Sequence, residues 1–362
     1  MLAVGAATLV VARTLQFDQI WMIGAALVVA VAVAAVAVMR RPNGVMVSCR
    51  LQPAALQVGT PAEVVVDIAA GGARRVPTVV VTSGERSWRL ASMAPGAQHR
   101  LRWSLATSQR GVVMLPAVEI QRRDPLGLAR RTSVAYPPID VVVAPRTVPL
   151  AMVQMGVGAL GLLLMHRARQ FGVGEFEGLR HYVEGDDLRL VHWKASARST
   201  DLLVKQFSLE GARRCTVVVD TATSCDPTAF ETGISIAASV VEAAYQADWA
   251  VRLATTAGVD VGGGSGLNGL RRTLAGVAPQ SSLQLPGRDP DEGVGLLVCI
   301  TPSLDSELWR RRDQFSDPAM VTMAVSLTGA PDSTVIDGST LDIFAQAWQR
   351  RVAAAPADGS RP

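Results

Sequence analysis

Apolar and polar positions change rhythm several times along this chain. From Ile20 to Met39 the sequence reads IWMIGAALVVAVAVAAVAVM, twenty apolar positions without a charge. No helical spacing gives that run a polar face, so it does not read as a helix of a soluble core. Its length matches the hydrocarbon thickness of a bilayer. Trp21 stands at one edge, and Arg40 and Arg41 at the other, as interfacial anchors. Met1–Ala12 is also apolar but short. Without a basic lead or a cleavage pattern it reads as the first arm of a transmembrane hairpin over 1–41, not as a signal peptide. Arg40, Arg41 and Arg50 follow the second span. That bias predicts a plasma-membrane protein with the bulk of the chain on the cytoplasmic side.

Residues 44–148 switch to short alternating runs, among them VMVSCRL, AEVVVDIA, HRLRWSLA and IDVVVAP, separated by Gly/Pro clusters. This spacing predicts a two-sheet β-sandwich of immunoglobulin-like type. Arg110-Gly111 starts one strand, and Asp124-Pro125-Leu126-Gly127-Leu128 forms a corner in which Gly127 supplies the permissive backbone. The apolar run 150–165, LAMVQMGVGALGLLLM, is shorter than the span at 20–39 and reads better as a packed connecting segment than as a third crossing.

From 211 to 352 strand and helix patterns alternate. Strands are expected at Cys215–Val219, Trp249–Thr255, Gly295–Thr301 and Ala319–Leu327. Helices are expected at Thr228–Gln246, Gly266–Gly276, Leu304–Gln314 and Thr340–Val352. The alternation predicts a mostly parallel sheet covered on both faces, with a ligand crevice at the carboxyl ends of its strands. The glycine-rich run Val259–Gly266 lacks a following Lys-Ser/Thr, so it is no phosphate cradle, and it reads as a flexible loop at the sheet edge. Residues 353–362 are small and polar and are expected to be a disordered tail. The fold class is therefore multidomain: transmembrane helices, a β-sandwich, a connecting segment over 149–210, and an α/β domain.

Composition changes little in this picture. The hydrophobic share is 49% of 362 residues, with much of the excess in the first forty. A net charge of +4 with interspersed signs builds no basic stripe, so nucleic acid is not an expected partner. Cys49, Cys215, Cys225 and Cys299 are far apart and make no CxxC pair, which predicts buried thiols and neither a zinc site nor a disulfide framework.

One bias does change the picture. The chain carries 33 arginines and two lysines, and both lysines, Lys194 and Lys205, fall between Gly174 and Phe207. A point charge is wanted there and not a planar fork. The same stretch holds Arg180, Tyr182, Gly185, Asp186, Asp187, Arg189, His192, Trp193 and Arg198. Asp186 is placed to cap a helix starting near Asp187, with Leu188, Val191 and Trp193 offering apolar surface and Arg189 and His192 on one face. Three readings stand. The segment is an ion-paired clasp anchored by Tyr182, Leu188 and Trp193. It is a partner-binding surface. Or it is an enzyme site with Asp186 or Asp187 as base, His192 as acid and Lys194 as anion clamp. No nucleophile–base spacing supports the last, so no catalytic residue is assigned and the chain is expected to be non-enzymatic.

The pattern Arg180-x-Tyr182-x-x-Gly185-Asp186-Asp187-x-Arg189-x-x-His192-Trp193-x-x-x-Ala197-Arg198, followed by Leu203-Val204-Lys205, resembles the signature of the bacterial family called domain of unknown function 58. The Arg110-Gly111 and Asp124–Leu128 corners fit the same family. The resemblance implies a membrane-anchored protein associated with a MoxR-type AAA+ ATPase, often with a transglutaminase-like membrane protein, acting in assembly or remodelling of protein complexes. It also implies a von Willebrand factor type A-like domain after the signature. Such domains hold a divalent ion through Asp-x-Ser-x-Ser. Here the sequence is Asp220-Thr221-Ala222-Thr223-Ser224, with Ala222 in place of the middle serine, and Pro302 follows the later strand. Asp220 and Ser224 are left as a degenerate metal site, fit for a weak divalent cation at most. The expected function is a membrane-anchored scaffold on the cytoplasmic side. The rivals are a metal-dependent adhesion-type module and an enzyme centred on the signature.

Overall fold

The computed structural model describes residue 10 and residues 18–39, 45–73, 75–124, 127–171, 175–183, 188, 191–208, 213–222, 226–281, 283–288 and 293–354. The chain divides into two compact units, Met1–Val143 and Ala144–Pro362.

The first unit opens with helix α1 (Asp18–Met39). Its stretch Gln19–Val36 is long and apolar enough to cross a membrane. At 1.5 Å per residue the helix is about 33 Å long. Val31, Ala34 and Val38 are buried at helical spacing, while Trp21, Met22, Val29, Val33 and Val36 are exposed. Among the described residues, most of its apolar surface has no protein partner. The first arm of the expected hairpin, 1–12, lies outside the described residues apart from Val10, as do Arg40 and Arg41. Arg50, counted in the charge bias, pairs with Asp67 at 2.7 Å.

The rest of this unit is all β. Strands β1 (Val45–Gln52), β3 (Ala62–Ala70) and β6 (Gln98–Leu105) form one antiparallel sheet in the order β1-β3-β6. Strands β2 (Leu56–Gln57), β7 (Gly111–Leu115) and β10 (Ile139–Ala144) form a second, in the order β2-β10-β7. Strands β4 (Val79–Ser83), β5 (Arg86–Leu90), β8 (Val118–Arg123) and β9 (Arg130–Tyr136) form a third, in the order β5-β4-β8-β9. The alternation works as period 2 requires. In β3, Val64, Val66 and Ile68 point inward and meet Val79, Val81, Leu115, Ile120 and Val143 from the other sheets in one core. The corner at Asp124 closes between β8 and β9. Asp124 Oδ1 accepts from Ala129 N–H at 2.6 Å, and Gly127 takes φ +69, a value open to glycine and costly elsewhere. Pro125 and Leu126 lie outside the described residues.

The second unit is built on a six-stranded sheet of β13 (Arg214–Val219), β14 (Ala250–Thr255), β15 (Asp260–Val261), β16 (Leu296–Thr301), β17 (Val321–Ser326) and β18 (Ile336–Asp337). The order is β15-β14-β13-β16-β17-β18, and all pairs are parallel except β14–β15. β13, β16 and β17 are nearly continuous apolar runs, as strands buried on both faces require. Helix α4 (Pro227–Gln246) starts where Asp226 Oδ2 accepts from Thr228 and Ala229 N–H, with Pro227 in the first turn. It comes so close to the sheet that a Cβ on Gly233 would meet Leu327 Cδ1 at 3.0 Å. Helices α5 (Gly266–Gly276) and α7 (Leu341–Ala353) complete the cover.

Residues upstream of 211 also enter this core. Helix α2 (Gly158–Gln170) buries Leu160, Leu164 and Ala168, and Met152 and Val153 precede it inside. Trp348 Nε1–H donates to Ala151 C=O at 2.8 Å, and Val148 N–H donates to Ser239 Oγ at 3.1 Å. The apolar run at 150–165 is thus packed against α/β elements, and its glycines and Pro149 shorten the helix to the part after Val157.

Two local expectations fail here. The helix expected over Leu304–Gln314 is broken into α6 (Glu307–Arg310) and a 3₁₀ turn at Arg312–Gln314. Ser306 caps α6 by accepting from Trp309 N–H, so the helix cannot start at Leu304. The run Val259–Gly266 forms the edge strand β15 and then leads directly into α5, where a loop was expected.

Candidate functional site

The signature folds as a two-stranded ribbon with a small cap. β11 (Glu175–His181) pairs antiparallel with β12 (Leu203–Ser208), setting Leu179 opposite Lys205, Arg180 opposite Val204 and His181 opposite Leu203. The connection returns onto β12. Tyr182 N–H donates to Leu202 C=O at 2.8 Å and His192 N–H to Leu203 C=O at 2.8 Å, while Leu203 N–H donates to Ser196 Oγ at 2.8 Å. Val191 makes an isolated antiparallel bridge to Val204. The helix α3 is one turn, Trp193–Ser196, and its cap is His192, whose Nδ1 accepts from Ala195 N–H at 3.0 Å.

A short helix running from near Asp187 through Arg198 was expected; Leu188 does lie in a 3₁₀ turn, but the helix is not continuous past Val191. Val191 is β-branched and buried in a bridge, so the backbone there is extended and the α-helical turn begins two residues later, at Trp193. Gly185, Asp186, Asp187 and Arg189 lie outside the described residues, and so does the cap assigned to Asp186.

The anchors are corrected as well. Val191 is 4% exposed and Val204 1%, whereas Leu188 is 57% and Trp193 63% exposed. A one-turn cap has one inward side, and the two valines fill it. Tyr182, His192 and Lys205 are half-buried; Lys194 and Arg198 are exposed. Arg180 Nη1–H donates to His181 C=O at 3.1 Å. His181 Nδ1 lies 3.6 Å from Asp201 Oδ2, with both side chains well exposed. Pairs of that kind contribute at most about 1 kcal/mol. Backbone bonds and two buried valines hold the described part of the ribbon, and its largest aromatic faces water.

A second cluster sits at the carboxyl ends of the central strands. Asp220 follows β13 and is 4% exposed. Its Oδ1 accepts from Ala222 N–H at 3.1 Å and from Thr256 Oγ1–H at 3.3 Å, and Thr301 Oγ1 is 3.5 Å from Oδ2. Thr256 in turn accepts from Thr221 N–H at 2.8 Å and lies 2.9 Å from Thr221 Oγ1. Thr301 Oγ1 reaches Ser306 Oγ at 2.5 Å and Ser303 C=O at 2.9 Å. The chain order across the sheet reverses between β13 and β16, which puts Asp220 and Thr301 where open α/β sheets bind ligands. Sequence reasoning missed Thr256 and Thr301. The available signal was a hydroxyl residue at the carboxyl end of each of the two strands that flank β13.

A divalent cation fits this set poorly. Hard cations take about six oxygens, usually with more than one carboxylate. Here a single carboxylate is met by hydroxyls that already bond one another, and among the described residues no group of three or more His, Cys, Asp or Glu could hold a metal. Ser224 lies outside the described residues. Within the same sheet, burial pushes the thiols of Cys215 and Cys299 up to about 12, so neither is a nucleophile at neutral pH.

Residues 178–259 match the family model described as Protein of unknown function DUF58. The matched span runs from the ribbon through β13 and α4 to the end of β14. It therefore includes the signature, Asp220 and Thr256, while Thr301 and Ser306 lie beyond the DUF58 match. No curated protein matches the chain.

Proposed function

We propose that this chain is a non-enzymatic, membrane-anchored scaffold that engages protein partners on the cytoplasmic side. The partner we assign is a MoxR-type AAA+ ATPase acting in assembly or remodelling of protein complexes, with a transglutaminase-like membrane protein as a further member. The observation that carries the reading is the exposure of Trp193, Leu188 and Val183, three large apolar side chains in the connection between β11 and β12, which also carries the exposed Lys194 and Arg198. Exposed apolar side chains rimmed by charge mark interaction surfaces, and Trp and Arg dominate their energetics. The ribbon beneath is fixed by backbone bonds, so the surface is presented with little ordering cost. Helix α1 supports anchoring. In this reading the β unit is an immunoglobulin-like spacer and the α/β unit a von Willebrand factor type A-like domain, favoured by its parallel sheet with one antiparallel edge.

The metal-dependent rival rests on Asp220 and is disfavoured by the closed hydroxyl set around it. Cosedimentation of the full chain in nanodiscs with a purified MoxR-type ATPase, with and without ATP, tests the scaffold reading. Nucleotide-dependent binding is expected. No binding in any nucleotide state would overturn it.

A further inference from the structure

Strand β6 is a long open edge. It is eight residues long and, among the described residues, pairs with β3 alone, while β1, the other edge of that sheet, has β9 beside it. An unpaired edge offers a row of backbone donors and acceptors to another chain.

The two faces of β6 differ. Leu101, Trp103 and Leu105 are half-buried against the core, and Trp103 stacks on Trp88 of β5 with ring centroids 5.0 Å apart. Arg100 and Arg102 alternate with them, so both point to the outer face. The contacts agree with that placement. Arg100 stands across from Asp67, and Arg102 across from Val65, whose other neighbour is Arg50 of β1. Arg100 Nε–H donates to Asp67 Oδ1 at 2.6 Å, and Arg50 Nη2 lies 2.7 Å from Asp67 Oδ2. The Arg100 hydrogen bond first, and then the charges of Arg100, Arg50 and Arg102, hold the Asp67 carboxyl below the ordinary carboxylate value.

One carboxylate thus answers three guanidiniums on one face. Glu63, the other acid of this face, stands opposite Gln52 and Ser104 and not opposite an arginine. Arg102 is exposed and makes no ion pair or hydrogen bond among the described residues.

The spacing selects an occupant. Residues two apart on a strand lie about 7 Å apart and face the same way. Arg100 and Arg102 therefore match two carboxylates at the same spacing on an added strand, and opposite charges across a ladder stabilise it. The residue between those carboxylates falls on the side of Leu101 and Trp103, which favours an apolar one. A second copy of this edge fits badly: paired antiparallel about Leu101, it sets Arg100 against Arg102.

We propose that the β6 edge docks an extended segment of a protein partner in which acidic and apolar residues alternate, added as a strand with its carboxylates opposite Arg100 and Arg102. This gives the β unit a binding role beyond that of a spacer, and it does not depend on the Trp193 surface.

The test uses the full chain in nonionic detergent and a short synthetic peptide of alternating glutamate and valine. One control peptide gathers the same glutamates into a single block, and another carries lysine in place of glutamate. The alternating peptide is expected to bind saturably, more tightly than either control, and to slow amide exchange across Gln98–Leu105. Arg102→Gln is expected to weaken that binding on the order of threefold. Arg50→Gln removes the same charge from the far strand of the face and is expected to leave binding near the wild-type value. Absence of saturable binding, or binding that leaves β6 exchange unchanged, would overturn the proposal. Equal binding of the block peptide, or equal losses in the two variants, would mark a diffuse basic patch and overturn strand addition.

Discussion

Val191 lies across an isolated antiparallel bridge from Val204, and both side chains are buried, while Trp193 two residues on is turned to water. The pair separates what folds the signature from what the signature presents. Val204→Ala should cost about 1–3 kcal/mol through lost packing. Trp193→Ala should stay within about 0.5 kcal/mol of the parent, as exposed substitutions do. Denaturant unfolding of the full chain checks both, and a Trp193→Ala loss as large as that of Val204→Ala would restore the clasp.

The one-turn helix depends on the unprotonated Nδ1 of His192 as acceptor for Ala195 N–H. His192→Ala should destabilise that turn by about 1 kcal/mol, and His192→Asn should recover most of it. Amide exchange at Ala195 reads this directly: faster in the alanine variant, near parental in the asparagine variant.

The sequence carried the α/β unit well because its signals are long and redundant. β13 and β16 are nearly continuous apolar runs, and Asp226-Pro227 announces α4 with both a cap and a first-turn proline. The ribbon was less legible for a physical reason. In LRLVHWKAS the apolar spacing suits a helix, but Val191 finds a buried partner thirteen positions later at Val204, and tertiary pairing overrides local preference. Trp193 was assigned to packing by its type alone, and composition does not tell which side of a one-turn cap a side chain faces. The hydroxyls around Asp220 come from strands 36 and 81 residues away, so no local motif announces them.

The buried thiols make stability fall at high pH. Cys215 and Cys299 rise from an ordinary 9.0 to about 12 in the folded chain because burial disfavours the thiolate. Above pH 9 the unfolded chain releases these protons and the folded chain keeps them, so the folded state loses ground until pH reaches about 12. Unfolding free energy measured from pH 8 to 11 should fall, and Cys215→Ala/Cys299→Ala should flatten the fall. An unchanged slope in the double variant would contradict the assignment.

Asp220 is expected to be structural more than metal-binding. Asp220→Ala leaves Ala222 N–H and the Thr256 hydroxyl without their acceptor, at about 1–3 kcal/mol. Calorimetry with magnesium on the wild type should give a constant no tighter than millimolar. A micromolar constant abolished by Asp220→Ala would show that the hydroxyl set opens to hold an ion.

The central claim is that the Trp193 surface is where a partner docks. The most direct measurement is the affinity of the full chain in nanodiscs for a purified MoxR-type ATPase, comparing wild type with Trp193→Ala at matched thermal midpoints. The account predicts a loss of tenfold or more, since buried interface tryptophans contribute about 2 kcal/mol or more. Equal affinity in the two proteins would contradict it.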